Sequence, residues 1–283
     1  MGFYDHIVAC NNHSFDGKLP FNVGGVQVGW VRRELAELMT RWGHYFKITD
    51  SEVSILENLK DVEERSRALA EAGAALVVKQ ALPRNRKELC PVMARFGGEV
   101  LMRIDRAWLE SYGIVSYGIH VNGYVETPNG PELWIGVRSK NREVAPGKLD
   151  NMVAGGLPVS TSLAENVVKE AAEEASVPED LALTARPAGV ISYTLDTKRG
   201  MRRDLLFVYD LKLPADFEPV NTDGEVSGFV KWPAQQALRV IDETDEFKFN
   251  VNLVIIDFAI RHGLIAPEHP DYARLIRGLR AWA

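Results

Sequence analysis

Between Leu163 and Val177 the apolar residues recur at helical spacing. Leu163, Ala164, Val167, Val168, Ala171, Ala172 and Ala175 fill one half of a wheel drawn at about 100° per residue. Ser162 followed by Glu165 has the pattern of a capping box, so the helix is expected to start after Ser162, and Pro178 stops it after Val177. The preceding Gly155, Gly156 and Pro158 read as a loop whose glycines let backbone approach a ligand closely.

Ser116–Glu126 alternates apolar and polar positions, which predicts a strand. Leu133–Ser139 is its expected partner across the Thr127-Pro128-Asn129-Gly130 turn. Pro187–Asp196 and Asp204–Leu213 read as a further strand pair. Upstream, Leu19–Trp30 reads as a short hairpin and Val31–Trp42 as a helix. A second helix is expected from Ser51, with Ile55, Leu56 and Leu59 on one face, and a third over Val62–Ala75. Met93–Arg103 and Arg106–Trp108 add apolar surface, while the acidic run Asp61–Glu64 reads as a solvated face. Pro233–Ile241 and Asn250–His262 are expected helices, and Tyr272–Trp282 is a short amphipathic tail. The pattern divides into a mixed α/β unit over residues 1–113 and a second unit over residues 114–283.

Charge changes the picture on the central helix. Glu170, Glu173 and Glu174 stand at i, i+3 and i+4, which makes them neighbours on one face. Glu174 falls between Leu163 and Val167, inside the apolar arc. Glu165 lies apart, four residues before Lys169, and is expected to pair with it at the surface. Carboxylates crowded at a buried rim repel one another, and desolvation raises the cost. A hard divalent cation, Mg²⁺ or Mn²⁺, would offset it, and such ions pair with substrate phosphates. The plainer alternative is a charged helix face. Glu225, beside Gly224 and just before an apolar strand-like segment, is suited to project a carboxylate. Arg138, Lys140, Arg142 and Lys148 read as exposed cations between elements, and the cationic Thr197–Arg203 as a solvated hairpin tip. Phosphate contact is the alternative for both groups. His120 reads as structural.

With 283 residues, 46% hydrophobic and 25% charged, the chain has the composition of an ordinary globular protein with one large domain or two smaller ones. A formal net charge of −6 argues against broad binding to nucleic acid or anionic membrane. Cys10 and Cys90 carry no CxxC and read as buried thiols, which suits a cytoplasmic setting. MGFYDHIVAC lacks a basic region and an unbroken apolar run, so no signal peptide is expected. His6 stands where a myristoylation motif has Ser or Thr. No stretch approaches the ~18 apolar residues of a membrane span. The six histidines form no HExxH and no zinc-like spacing. Oligomeric state is left open, a homo-oligomer included.

The stretch around the acidic helix resembles the Nudix box, whose pattern is G-x5-E-x7-R-E-U-x-E-E-x-G-U with U a bulky apolar residue. Gly155 opens it, Glu170 and the Glu173–Glu174 pair supply its acids, and Val177 closes it. Thr161, Lys169, Ala171 and Ser176 depart from the pattern; Lys169 keeps the charge of the usual arginine without its planar fork. The resemblance implies an α/β (α+β) fold, a Nudix-type mixed-sheet α/β/α sandwich preceded by a smaller mixed α/β N-terminal domain. Leu19–Trp30 with the helix after it, Tyr209-Asp210-Leu211 and Asp223-Gly224-Glu225-Val226 look like a Nudix subgroup related to thiamine pyrophosphokinase. In that subgroup the Nudix part is similar to hydrolases of oxidised thiamine diphosphates.

It follows from the resemblance that a Mg²⁺- or Mn²⁺-dependent pyrophosphohydrolase would release a monophosphate from a small-molecule diphosphate. Glu170, Glu173 and Glu174 would hold metal. Glu173, Glu174 and Glu225 would serve catalysis, and Gly155, Gly156 and Lys169 would lie at the substrate. A hydrolase of another nucleoside diphosphate derivative, or a Nudix-like binding module without catalysis, is the alternative; Thr161, Lys169 and Ser176 favour the latter. A kinase role ranks last, since no G-x-x-x-x-G-K-[ST] loop is present.

Overall fold

A computed structural model describes residues 2–222 and 224–281, so Asp223 of the Asp223–Val226 motif and Trp282 of the tail lie outside the described residues. The chain begins with α1 (Phe3–Cys10), β1 (Lys18–Val23), β2 (Val26–Arg32), α2 (Arg33–Met39), β3 (Phe46–Ile48), β4 (Val53–Ile55) and α3 (Val62–Val78). Then come β5 (Leu89–Val92), β6 (Met102–Asp105), β7 (Val115–Thr127), β8 (Gly130–Arg138), β9 (Leu149–Asn151), β10 (Val153–Gly156) and α4 (Leu163–Ala175). The last part holds α5 (Glu179–Ala182), β11 (Arg186–Asp196), β12 (Met201–Lys212), β13 (Val226–Pro233), α6 (Ala234–Glu243), α7 (Val251–Arg261) and α8 (Tyr272–Gly278).

Seven strands form the main sheet, in the order β11-β12-β7-β8-β13, with β10 added beside β7 and β9 beside β8. β12 runs parallel to β7, whereas β11–β12, β7–β8 and β8–β13 are antiparallel, so the sheet is mixed. Alternation on β7 sends Ile119 and Val121 to one face, where they pack with Val167, Ala171 and Ala175 of α4. The other face, with Leu133, Ile135, Ile191 and Val208, is covered by Leu253, Val254 and Phe258 of α7 and Ala237 and Leu238 of α6. The result is an α/β/α sandwich. Ile7 and Cys10 of α1 join that second core beside α7 and α8, so the first helix packs on the C-terminal helices.

A smaller four-stranded sheet, β2-β1-β4-β3, and the β5–β6 ribbon close a separate core with α3. Here the expected helix from Ser51 is not formed. Val53 and Ser54 pair in parallel with Phe21 and Asn22 of β1, while Ile55 pairs with Phe46 of β3. Strand pairing therefore overrides the helical spacing of Ile55, Leu56 and Leu59. The acidic run caps α3 instead of merely facing solvent, because the Asp61 carboxylate accepts the Glu64 N–H at 2.8 Å. Both cysteines are buried and free. No helix among the described residues is long and apolar enough to cross a membrane.

Helix α4 starts as its pattern predicts. The Ser162 hydroxyl accepts the Glu165 N–H, and the Glu165 carboxylate accepts the Ser162 N–H at 2.8 Å. That bond and a second, from the Ser162 hydroxyl at 2.7 Å, turn Glu165 back to the cap and away from Lys169, contrary to the expected surface pair. At the other end Ser176 adopts φ +52° and ψ +33°, the left-handed conformation that suits the glycine of the Nudix pattern. Ser176→Val is expected to lower stability by about 1–2 kcal/mol, because a β-branched residue is strained there. Ser176→Gly should stay within ~1 kcal/mol of the wild type. Equal losses for the two in denaturant unfolding would contradict this account.

Candidate active site

Strand β10 and helix α4 build one wall of a cleft of about 660 Å³. Gly155 and Gly156 are strand residues, not loop residues, paired with Ile119 and Gly118 of β7. Their lack of side chains still matters. A Cβ on Gly155 would lie 2.4 Å from Cδ of Glu170, and one on Gly156 would lie 2.8 Å from Cζ of Arg106. The two glycines thus let a carboxylate and a guanidinium come down onto the strand.

Glu174 is 7% exposed and its carboxylate accepts the Ala154 N–H at 2.9 Å. Burial pushes its pKa well above the usual carboxylate range, and Asp150, Glu170 and Glu225 push it further against the Ala154 bond. Burial raises Glu170 too, opposed by Lys169. Glu225 lines the same cleft and pairs with Arg142 at 2.5 Å. Glu173 does not line it. The Glu173 side chain is half exposed, 3.1 Å from Nζ of Lys169, which lies equally close to Glu170. Lys169 therefore sits between two acids of its own helix.

The structure brings together Glu170, Glu174, Glu225, Gly155 and Gly156 and leaves Glu173 and Lys169 at the outer edge. Among the described residues, no three His, Cys, Asp or Glu side chains form a ready-made metal cage. The donor chemistry nevertheless fits a hard divalent cation. Glu170 and Glu174 offer oxygen, and their raised pKa values reflect burial and carboxylate repulsion that a cation would relieve.

The rest of the cleft lining is rich in cations. Asp105 accepts the backbone N–H of Arg86, Lys87 and Ala107 at 2.9–3.1 Å, which ties the segment before β5 to the turn after β6. Arg86 and Arg106 are thereby carried to the cleft. Arg106 donates to both oxygens of Glu88 at 3.0 and 3.1 Å; burial opposes its charge, and Glu88 with Glu170 more than offsets that. Glu143 bridges Arg86, at 2.7 Å, and Arg199. Thr197–Arg203 is not the expected solvated hairpin tip. Met201–Arg203 belong to β12, and Arg199, Arg202 and Arg203 line the cleft. Arg202 pairs with Glu110, and Arg203 donates to the Gly113 carbonyl at 3.2 Å. Arg138 is likewise no exposed linker cation, being bonded at 2.5 Å to buried Asp150.

His120 lines the cleft at 3% exposure, a position the sequence did not single out for chemistry. Burial, then Lys248, lowers its pKa to about 4 against Asp150 and Asn151, so the ring is neutral at pH 7. Arg86 and Arg106 were also missed: Arg106 falls in Arg106–Trp108, which reads as apolar surface, and Arg86 lies in a segment without a periodic pattern. Asp105 next to Arg106 is the one local signal, and its role depends on long-range contacts.

A carboxylate edge set against a guanidinium wall, in an α/β/α sandwich, equips a protein to hydrolyse phosphoric anhydrides. Residues 2–116 match the family described as a domain of unknown function (DUF4743). Over 283 residues the chain is 41% identical to Nudix hydrolase 24, chloroplastic, of Arabidopsis thaliana, covering 99% of this chain and 78% of that protein. It is 39% identical over 290 residues to Nudix hydrolase 20, chloroplastic, of the same plant, with the same coverages. Among solved structures, DR0079 from Deinococcus radiodurans is 24% identical, covers 60% of this chain and 98% of its own, and has a TM-score of 0.46. The chain belongs to the Nudix hydrolase family and is a hydrolase of phosphoric anhydride bonds. The family generally uses divalent metal ions.

Proposed function

We propose that this protein is a Mg²⁺- or Mn²⁺-dependent diphosphate hydrolase that releases a monophosphate, with thiamine diphosphate or its oxidised analogues as the substrate class. The observation that carries the reading is the pair Glu170 and Glu174, two carboxylates of one helix edge held with raised pKa in a cleft lined by arginines. A divalent ion held by them would neutralise phosphate charge and acidify a water molecule. Glu173 is retained as a third ligand, reached by rotating its side chain away from Lys169.

Glu174 keeps its orientation through the Ala154 N–H and aligns the attacking water, and Glu225 is the candidate base that takes its proton. Arg106 and Arg199 hold the diphosphate oxygens. Gly155 and Gly156 bring the acidic helix and Arg106 up to it, and Lys169 steadies the acidic edge. Water adds to one phosphorus, the P–O–P bridge breaks, and a monophosphate and inorganic phosphate leave.

We treat residues 1–113 as a domain that helps to select the substrate, because Arg86 and Arg106 come from it. Arg106→Ala is then expected to raise KM by about tenfold or more, as loss of a charge-assisted contact. An unchanged KM across a diphosphate panel would remove that role. A cytoplasmic location is also kept as a proposal. The two plant relatives are named chloroplastic, so imaging of a fluorescent fusion in the source cells decides it.

The test is phosphate release from thiamine diphosphate, its oxidised analogues and nucleoside diphosphate derivatives, with Mg²⁺ present. Release of one phosphate per monophosphate formed, fastest for the thiamine-like members, is expected. Failure to hydrolyse any of them would overturn the substrate reading.

A further inference from the structure

Asp210, Asn122, Asn151 and His120 form a hydrogen-bonded chain through the sheet and to the cleft. Asn122 Nδ2 donates to Asp210 at 3.0 Å, Asn151 Nδ2 donates to Asn122 Oδ1 at 2.8 Å, and His120 Nδ1 lies 2.7 Å from Asn151 Oδ1. Its polarity is set at the far end. An ionised carboxylate only accepts, so Asn122 must turn its NH₂ to Asp210 and its oxygen to Asn151. Asn151 must then present its own oxygen to His120. The proton of the neutral imidazole is thereby fixed on Nδ1, leaving Nε2 as a bare acceptor. Asp210 stays ionised: burial opposes its charge, but His262 and Arg261 hold its pKa below the ordinary value. Nε2 makes no hydrogen bond among the described residues.

A second chain has the same polarity. Tyr193 donates its hydroxyl proton to Asp204, and its oxygen accepts from Asn250 Nδ2 at 3.2 Å. Asn250 Oδ1 is left buried with no partner. Asn250 is 4% exposed and lines the same cleft as His120, near the Lys248–Asp150 pair. Two hydrogen-bonded chains, each starting from a carboxylate of β12, thus end in acceptors in a cleft otherwise rich in donors.

We propose that His120 Nε2 and Asn250 Oδ1 form an acceptor pair that recognises an amino-bearing ring on the organic half of the diphosphate substrate. This rests on the diphosphate hydrolase reading. Asn122, Asn151 and Asp210 are positioning residues that act through His120. An unmatched acceptor in a buried site disfavours ligands lacking a donor, so the pair selects for the organic half and leaves the anhydride chemistry to the other wall.

The test uses the full-length ¹⁵N-labelled protein, with the His120 nitrogens observed by long-range ¹H–¹⁵N correlation and assigned through their loss in His120→Gln. Nδ1 should be protonated and Nε2 bare from about pH 6 to about pH 8. Thiamine diphosphate, adenosine diphosphate and cytidine diphosphate all carry an amino group. At least one should shift Nε2, and inorganic pyrophosphate should not. His120→Leu should raise KM for that compound about tenfold or more with kcat within about threefold, and His120→Gln, which keeps an acceptor, should recover most of the loss. Asn122→Leu, outside the cleft lining, should mix the two tautomers. A proton on Nε2 in the free protein, an Nε2 signal unmoved by every amino compound, or equal KM for the Leu and Gln variants would overturn the proposal. If the wild type hydrolyses none of these compounds, the hydrolase reading on these substrates fails, and the Nε2 response still decides the acceptor site. Should His120→Leu not fold, the wild-type spectra decide it alone.

Discussion

Glu174→Gln is expected to lower turnover by about a hundredfold or more while the protein still folds, as for loss of a charge that stabilises a transition state. Glutamine keeps the size of the side chain and its oxygen can still accept the Ala154 N–H, so position is preserved and charge alone is removed. Stability should move the other way. The folded-state pKa of Glu174 is raised above its unfolded value, chiefly by burial. The protonated form is therefore favoured in the fold, and that stabilisation is lost as pH rises through the folded pKa. In chelator, the variant should gain on the wild type in urea unfolding as pH rises above the ordinary carboxylate range. Glu165→Gln is the control. It alters a cap at the exposed start of α4, so it should cost at most about 1 kcal/mol and leave kcat unchanged. Equal loss of turnover in both variants would contradict the division of the helix into cap and site carboxylates.

Gly155→Ala should be nearly as damaging to activity although it adds one methyl group. The new Cβ would lie 2.4 Å from both Cγ and Cδ of Glu170, closer than packed atoms tolerate, and β10 cannot retreat because it is paired with β7. Glu170 must swing away from the strand, and kcat should fall about tenfold to a hundredfold, as for displacement of a positioned group. Gly156→Ala meets the guanidinium of Arg106 and would displace it from its bonds to Glu88, so its effect should fall on KM. Steady-state kinetics of the two variants side by side check this. A Gly155→Ala enzyme with unchanged kcat would mean that Glu170 does not work from its position over β10.

The start and face of the acidic helix were legible in the sequence because a capping box and one apolar arc lie within a short stretch, whereas its end falls at Ala175, set by the left-handed Ser176 and not by Pro178. The strands of the main sheet were legible for a similar reason, as alternation on Ser116–Glu126 marks two faces without reference to partners. What local pattern did not carry was pairing. Ile55, Leu56 and Leu59 keep helical spacing, yet Val53 and Ser54 are captured by β1. Glu165 precedes Lys169 at the right interval, yet two bonds to Ser162 hold it more firmly.

The cationic wall and the acceptor floor were hidden for the same reason. Arg86 and Arg106 reach the cleft only once Asp105 gathers their backbones, and Arg202 and Arg203 look like hairpin residues until β12 is placed beside β7. His120 and Asn122 share β7, but Asn151 comes from β9 and Asp210 from β12, so no spacing in the chain announces the set. The glycines were assigned to the right place for the wrong structure. Close approach does require them, but by Glu170 and Arg106 over a strand.

Under the proposed function, anhydride cleavage in this cleft runs on a divalent ion held by the acidic edge of α4. Monophosphate formation by the wild-type protein should therefore be followed with Mg²⁺, in excess chelator, and after Mg²⁺ is restored. Turnover that disappears with chelator and returns with the ion is expected. Undiminished turnover in excess chelator would contradict the account.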